Sequence, residues 1–148
     1  MIHVCFGLYD KDGRYSKFTG TTIASIFENT KSKVTAHILH DDTLTDDNQD
    51  KFSYLAGQYN QQIKFYNVEK ICADKIERIR QMMSSAAMFS RFTIGAVYRI
   101  LAADLLPKDI DNTIYLDSDI IVNLDIKEFV DFFNQKGGGY AVGRCCRV

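Results

Sequence analysis

Tryptophan is absent from the 148-residue chain and proline occurs once, at Pro107. So little proline rules out a proline-rich linker, and no low-complexity segment interrupts the sequence. Charge of either sign is not in excess: 18 basic residues face 19 acidic ones, for a net charge of −1. That balance argues against a nucleic-acid partner, and no run of like charge reads as a solvated tail. Long hydrophobic runs are also missing; none reaches the ~20 residues that a bilayer-spanning helix needs. The opening MIHVCFGLYD lacks the basic start and small-residue cleavage site of a secretory signal. Cysteine is sparse. Cys5, Cys72, Cys145 and Cys146 contain no CxxC spacing, and adjacent cysteines rarely bridge each other, so the four are expected to be reduced thiols of a cytoplasmic protein. The glycine patterns that cradle phosphate, GxGxxG after a first strand and GxxxxGK[ST], do not occur.

What is present reads as one domain. Hydrophobic residues make up 46% of a chain long enough for one core. Short apolar runs at 2–8 (IHVCFGL), 34–40 (VTAHILH), 62–68 (QIKFYNV) and 112–122 (NTIYLDSDIIV) read as strands. Between them lie a helical pattern at 16–30, carrying Phe18, Thr22, Ile23, Ile26 and Phe27, and a second one that Thr45 or Asp46 could cap, carrying Phe52, Leu55 and Ala56. A short helix is expected around ADKIERIRQMM, and a longer one over 92–107, stopped by Pro107. A last helix is expected over 125–133, then a turn and strand over 137–143. No internal repeat is visible. Strands alternating with helices predict an α/β fold: a mostly parallel sheet covered on both faces. Such sheets bind ligands at the carboxyl ends of their strands. The loop at 9–15 and the pair Asp117/Asp119 both lie at such ends, so they are expected at one mouth.

The acidic pair is the most informative feature. Two carboxylates one residue apart, leaving a buried strand, repel each other unless a cation neutralises them. Alternation in an extended segment would put both on one side. A hard cation of the Mg²⁺ or Mn²⁺ type takes such oxygen ligands and often completes its shell with phosphates. The plainer reading is a solvated turn or a helix cap at a strand end. The apolar residues on both sides, in IYLDSDIIV, favour the metal reading, because a surface turn does not need them.

YRILAADLLP followed by TIYLDSDIIVNLDI resembles glycosyltransferase family 8, which includes bacterial lipopolysaccharide galactosyl- and glucosyltransferases and glycogenin. The opening VCFGLYDKDGRYSKFTGTTIASIFENT is similar to that family as well, so the resemblance covers nearly the whole chain. It implies a Rossmann-like GT-A fold and a UDP-hexose donor, glucose or galactose. It also implies Mn²⁺ (or Mg²⁺) and transfer with retention to a glycan, lipid-linked or protein acceptor. On this resemblance Asp117 and Asp119 are the metal ligands that bridge to the donor diphosphate, and Ser118 contacts ribose or base. Gly7, Leu8, Tyr9 and Asp10 cradle the nucleoside, Tyr15 stacks on uracil, and Arg99 faces the donor. Asp117, Asp119 and Arg99 would then carry catalysis by stabilising the charge left on the diphosphate. No residue stands out as a nucleophile. Ordinary packing remains the plain alternative for Tyr9 and Tyr15, and a surface position for Arg99.

The chain departs from the family pattern in two respects, one being that RCCRV follows YAVG where the family tends to carry an Asp. The family's HxxGxxKPW-like element, a second source of metal ligands, has no counterpart; His3, His37 and His40 lie in or beside strands. The expectation is therefore that residues 1–148 form the N-terminal nucleotide-sugar-binding portion of a longer enzyme. Little or no turnover is expected alone, with exposed apolar surface favouring a homo-oligomer. Membrane-linked acceptors would imply a location peripheral to the membrane. Two rivals stand beside this reading. One is a non-catalytic nucleotide-sugar-binding module. The other is a phosphatase of the haloacid dehalogenase type, whose DxD sits near the start of its fold rather than near the end.

Overall fold

The computed structural model describes residues 1–85 and 94–135. Two strands fall where the apolar runs predict them, β1 at Ile2–Leu8 and β2 at Val34–His40. All seven residues of β2 are buried, as a central parallel strand requires. β3 spans Gln62–Asn67, and β4 is only Ile114–Tyr115. The sheet order is β3-β2-β1-β4 with every pairing parallel, so the chain is α/β and Rossmann-like, as expected.

Alternation along β1 divides the interior. Val4, Phe6 and Leu8 pack on one face with Ile23, Ile26 and Phe27 of α1 (Arg14–Asn29), Phe52 of α2 (Asp46–Gln58), and Ile126. Cys5 faces the other side, where Leu39 and Val68 meet Ile76, Tyr98 and Leu101. Burying each large aliphatic side chain stabilises the fold by roughly 1.5–3 kcal/mol. Burial also pushes the Cys5 thiol up to about 12, so this free cysteine is an inert core residue.

Thr45 caps α2. Its hydroxyl accepts from the Asn48 amide at 3.3 Å, and Asp46 and Asp47 complement the positive end of the helix. Thr45→Ala should lower stability by about 1 kcal/mol, with Thr45→Ser close to wild type, when urea midpoints are compared. A similar cap ends β3 early. The Asn67 side-chain oxygen accepts from the Glu69 and Lys70 amides, both at 3.1 Å, so Val68 opens α3 (Val68–Ile71) instead of extending the strand. α4 follows at Ala73–Ser85.

The expected helix over 92–107 is broken, as far as it falls on described residues. α5 (Ile94–Val97), a 3-10 turn (Tyr98–Leu101) and α6 (Ala102–Leu105) replace it. The tighter turn aligns residues three apart, so Tyr98 and Leu101 both point into the core. Leu106 is extended at φ −73° and ψ 147°, as the residue before a proline prefers. α7 spans Ile126–Gln135, its first turn held by Asp125, whose carboxylate accepts from the Lys127 amide at 3.0 Å. The expected turn and strand at 137–143 lie outside the described residues, as do Cys145 and Cys146.

Candidate functional site

The mouth forms where β1 and β4 end. Cys5 pairs with Tyr115, and the Leu116 amide donates to the Cys5 carbonyl at 3.0 Å. The ladder stops there, because the next inward amide, that of Gly7, donates to the Tyr115 hydroxyl at 3.1 Å. Glycine is needed at this point. A Cβ on Gly7 would lie 2.3 Å from the Gly95 carbonyl oxygen and 2.8 Å from the Tyr115 hydroxyl. Gly95 reciprocates: its own Cβ would sit 3.0 Å from both the Cβ and the amide nitrogen of Tyr9. Two missing side chains thus let α5 lie directly on the exit of β1.

Tyr115 then carries Arg99. The guanidinium carbon lies 4.9 Å from the ring centroid, in cation–π range. Burial raises the pKa of the Tyr115 hydroxyl, although Arg99 opposes the shift. From this platform Arg99 reaches Asp117, Nη2 to Oδ1 at 3.5 Å. Both side chains are about half exposed or more, at 48% and 64%, so the pair adds little stability. Its value is orientation, and a cation arriving at Asp117 can replace it cheaply.

The acidic segment is not the strand expected over 112–122. Only Ile114 and Tyr115 pair with β1, and Ser118–Asp119 is a turn. The reason is that α1, not a sheet neighbour, satisfies this backbone. Thr22 Oγ1 donates to the carbonyls of Ser118 and Ile120, at 2.9 and 2.8 Å. The Val122 amide donates to Ser25 Oγ at 3.0 Å, and its carbonyl accepts from Asn29 Nδ2 at 2.9 Å. Thr22, Ser25 and Asn29 recur every three to four residues and so form one face of the helix. The order of exposure still places both carboxylates outward: Asp117 and Asp119 are exposed, and Ser118 between them is buried. The turn produces this arrangement by setting Ser118 against α1 and leaving the carboxylates on either side at the rim.

Two exposed carboxylates are hard oxygen donors and fit a Mg²⁺- or Mn²⁺-type ion that keeps several waters or phosphate oxygens. Among the described residues no group of three or more His, Cys, Asp or Glu gathers to hold a metal. His37 and His3 are bonded to each other instead, at 2.9 Å, inside the sheet.

The remaining residues divide by direction. Leu8 is fully buried in the core, so only its backbone could meet a ligand. Asp10 is also turned inward, at 3% exposure. Its Oδ2 accepts from Ser16 Oγ and, at 3.3 Å, from Asn48 Nδ2, and its amide donates to Thr43 Oγ1 at 2.8 Å. Its Oδ1 is a buried acceptor without a hydrogen-bond partner among the described residues. Tyr9 is half-buried beside Gly95. Tyr15 is 42% exposed on α1, edge-on to Phe18. The structure therefore connects Gly7, Tyr9, Arg99 and Asp117 through Gly95 and Tyr115. It sets Ser118 under the turn, and it uses Asp10 to fasten the 9–15 loop.

Sequence reasoning missed Tyr115, Gly95, Thr22 and the pair Asp41/Tyr98. The Tyr98 hydroxyl donates to Asp41 Oδ2 at 2.8 Å and ties the 3-10 turn to the end of β2. Burial, then the Asp41 contact, raises the Tyr98 pKa far above its ordinary value. The one legible signal was Thr22, a hydroxyl in an otherwise apolar stripe. A separate open cleft of about 660 Å³ lies at the ends of β2 and β3, lined by His40, Asp42, Thr45, Asp46 and Lys70 among others. None of its lining residues belongs to the 117–119 turn.

Two solved structures share this architecture. Mouse xyloside xylosyltransferase 1 superposes with a TM-score of 0.60 at 15% identity, over 90% of this chain and 47% of that one. The WbbM bifunctional glycosyltransferase also gives 0.60, at 18% identity, over 88% of this chain and 20% of that one. At such identities the likeness speaks to the fold, which is GT-A. The sequence resolves the family: residues 7–143 match the model for glycosyl transferase family 8, and the chain belongs to that family. It is 28% identical over 123 residues to the lipopolysaccharide 1,3-galactosyltransferase of Salmonella typhimurium (strain LT2), covering 83% of this chain and 34% of the relative. It is 30% identical over 125 residues to lipopolysaccharide glucosyltransferase WaaO of Escherichia coli K12, covering 84% and 34%. The chain thus spans about a third of the length of the curated relatives it matches. Family membership displaces the phosphatase reading.

Proposed function

We propose that the chain forms the donor-binding part of a retaining hexosyltransferase that takes glucose or galactose from a UDP-sugar. Its acceptor would be a glycan of the lipopolysaccharide type, lipid-linked or on a protein. The observation that carries this reading is the outward pair Asp117/Asp119 at the β1/β4 mouth, with Arg99 3.5 Å from Asp117. A divalent cation held there, Mn²⁺ or Mg²⁺, would supply Lewis-acid stabilisation of the leaving diphosphate. The chain's own contribution is orientation. Tyr115 supports the Arg99 guanidinium from below, so its donors meet phosphate oxygens without first having to be ordered. Tyr9 and the backbone at Gly7 and Leu8 form the floor for the nucleoside, Tyr15 offers an exposed ring for stacking, and Ser118 underlies the turn. Asp10 keeps the loop that bears these groups in place.

Among the described residues no helix is long and apolar enough to cross a membrane. A cytoplasmic location, peripheral to the membrane that carries the acceptor, belongs to the same proposal. So does association between copies, for which exposed Ile121, Leu124 and Phe132 provide apolar surface.

Calorimetric titration of UDP with and without Mn²⁺ tests the donor site. Binding should require the cation and weaken at least tenfold, about 1.4 kcal/mol, in Asp117→Ala/Asp119→Ala. Equal affinity in the double variant would remove the pair from the site. Cation-dependent binding without turnover on any acceptor would favour a nucleotide-sugar-binding module over an enzyme in this chain.

A further inference from the structure

We propose that Thr22 is the positioning residue of the acidic turn: its buried hydroxyl sets the geometry in which Asp117 and Asp119 receive a cation. The inference rests on the reading of those aspartates as the metal pair.

Thr22 is fully buried on α1, so its hydroxyl has no water to bond. It lies 2.9 Å from the Ser118 carbonyl oxygen and 2.8 Å from that of Ile120. A hydroxyl has one proton, so the two carbonyls share it in a three-centre bond. In an extended strand every second residue is ~6.6 Å further along. Two such carbonyls cannot both reach one oxygen without contraction of the backbone between them. These carbonyls belong to the residues that follow Asp117 and Asp119, so the contraction falls on the backbone of Asp119 and Ile120 and sets where the second carboxylate stands relative to the first.

The neighbouring anchors act elsewhere. Ser25 and Asn29 hold Val122, and Thr30 Oγ1 donates to Asp125 at 2.7 Å. Among these α1 anchors only Thr22 touches the acidic turn itself. The turn lies at an exposed rim, where water could satisfy its carbonyls if it moved away. Two like charges one residue apart press it in that direction. The Thr22 clamp resists the splaying, so a cation meets a pair already ordered and does not have to fix the loop on binding.

The test uses Thr22→Val, which keeps the shape and removes the hydroxyl, and Thr22→Ser, which keeps the hydroxyl. Ser25→Ala is the control for general loosening of the loop. Two quantities are measured: the carbonyl-carbon NMR shifts of Ser118 and Ile120 in metal-free protein, and the affinity for Mn²⁺ alone by calorimetry. Thr22→Val should move both shifts and weaken Mn²⁺ binding at least tenfold. Thr22→Ser and Ser25→Ala should stay within about twofold of wild type for Mn²⁺. Unmoved shifts in Thr22→Val would overturn the clamp. Moved shifts with unchanged Mn²⁺ affinity, or an equal loss in Ser25→Ala, would overturn its positioning of the metal pair. Wild-type protein that binds no Mn²⁺ would overturn the metal reading of Asp117/Asp119 and this inference with it, while the shifts would still report whether Thr22 holds the turn.

Discussion

Gly7→Ala is expected to lower stability by roughly 3 kcal/mol, the upper range for overpacking a core, and to weaken UDP binding as well. The added Cβ would lie 2.3 Å from the Gly95 carbonyl oxygen, a backbone atom that cannot rotate aside. Relief of that contact requires α5 to withdraw from the exit of β1, which uncovers Leu8 and Tyr9. The second contact, 2.8 Å from the Tyr115 hydroxyl, requires Tyr115 to swing out as well, which leaves the Gly7 amide without its acceptor and Arg99 without its ring. Both movements disturb the placement of Arg99 beside Asp117. Urea titration should show a lower midpoint. Gly57→Ala provides the contrast, since a Cβ there meets nothing within 4 Å. In that helix the substitution should stabilise by about 0.5–1 kcal/mol. Equal midpoints for Gly7→Ala and wild type would contradict the close approach of α5 to β1.

Acid should weaken the fold between about pH 6.5 and pH 4, before most carboxylates protonate. His37 is fully buried, with Nε2 2.9 Å from His3 Nδ1 and Nδ1 3.0 Å from the Tyr66 hydroxyl. Burial first, then His3 and Lys64, lowers its pKa to about 4. In the unfolded chain it returns to about 6.5. The unfolded state therefore takes up a proton that the folded state refuses. The associated stability is fully present above pH 6.5 and drains away as pH falls toward 4. The loss amounts to roughly 3 kcal/mol at about 1.4 kcal/mol per pKa unit. His3 is shifted in the same direction, again mainly by burial, although Asp109 opposes it. The Asp125 pKa lies below its ordinary value, chiefly because the Lys127 amide donates to it, so its contribution disappears only at lower pH. Unfolding midpoints measured across this window should fall steeply in wild type and much less in His37→Gln, which keeps polar atoms but does not titrate. Parallel profiles in the two proteins would mean that the histidine chain is not the acid-sensitive element.

Local pattern and non-local partnership separate what the sequence disclosed from what it hid. β1 and β2 were legible to the residue because short, continuous apolar runs bounded by turn residues have few other uses. The cap of α2 was legible to within one residue, as Thr45 or Asp46, because a cap is satisfied within four residues. The same reasoning failed at IYLDSDIIV. Its composition is that of a strand, but whether a backbone pairs with a sheet depends on which donors and acceptors arrive beside it. Here they arrive from Thr22, Ser25 and Asn29, more than 90 residues earlier. The break in the 92–107 helix was hidden for a related reason. Tyr98 and Leu101 are good helix residues, and only the core above the sheet draws them into a 3-10 turn. At the site, the acidic pair was visible from charge in an apolar run. The inward direction of Asp10 was not, because adjacency in sequence does not tell which way a loop side chain turns.

The attachment of the acidic turn to α1 also bears on how this site could be moved or redesigned. A loop held by a sheet neighbour has its hydrogen-bond partners within the sheet. This one is held by a helix that must present Ile23, Ile26 and Phe27 to the core on one side and Thr22, Ser25 and Asn29 to the turn on another. The transferable unit is therefore the loop together with the helix that serves it, and substitutions in either should be chosen jointly.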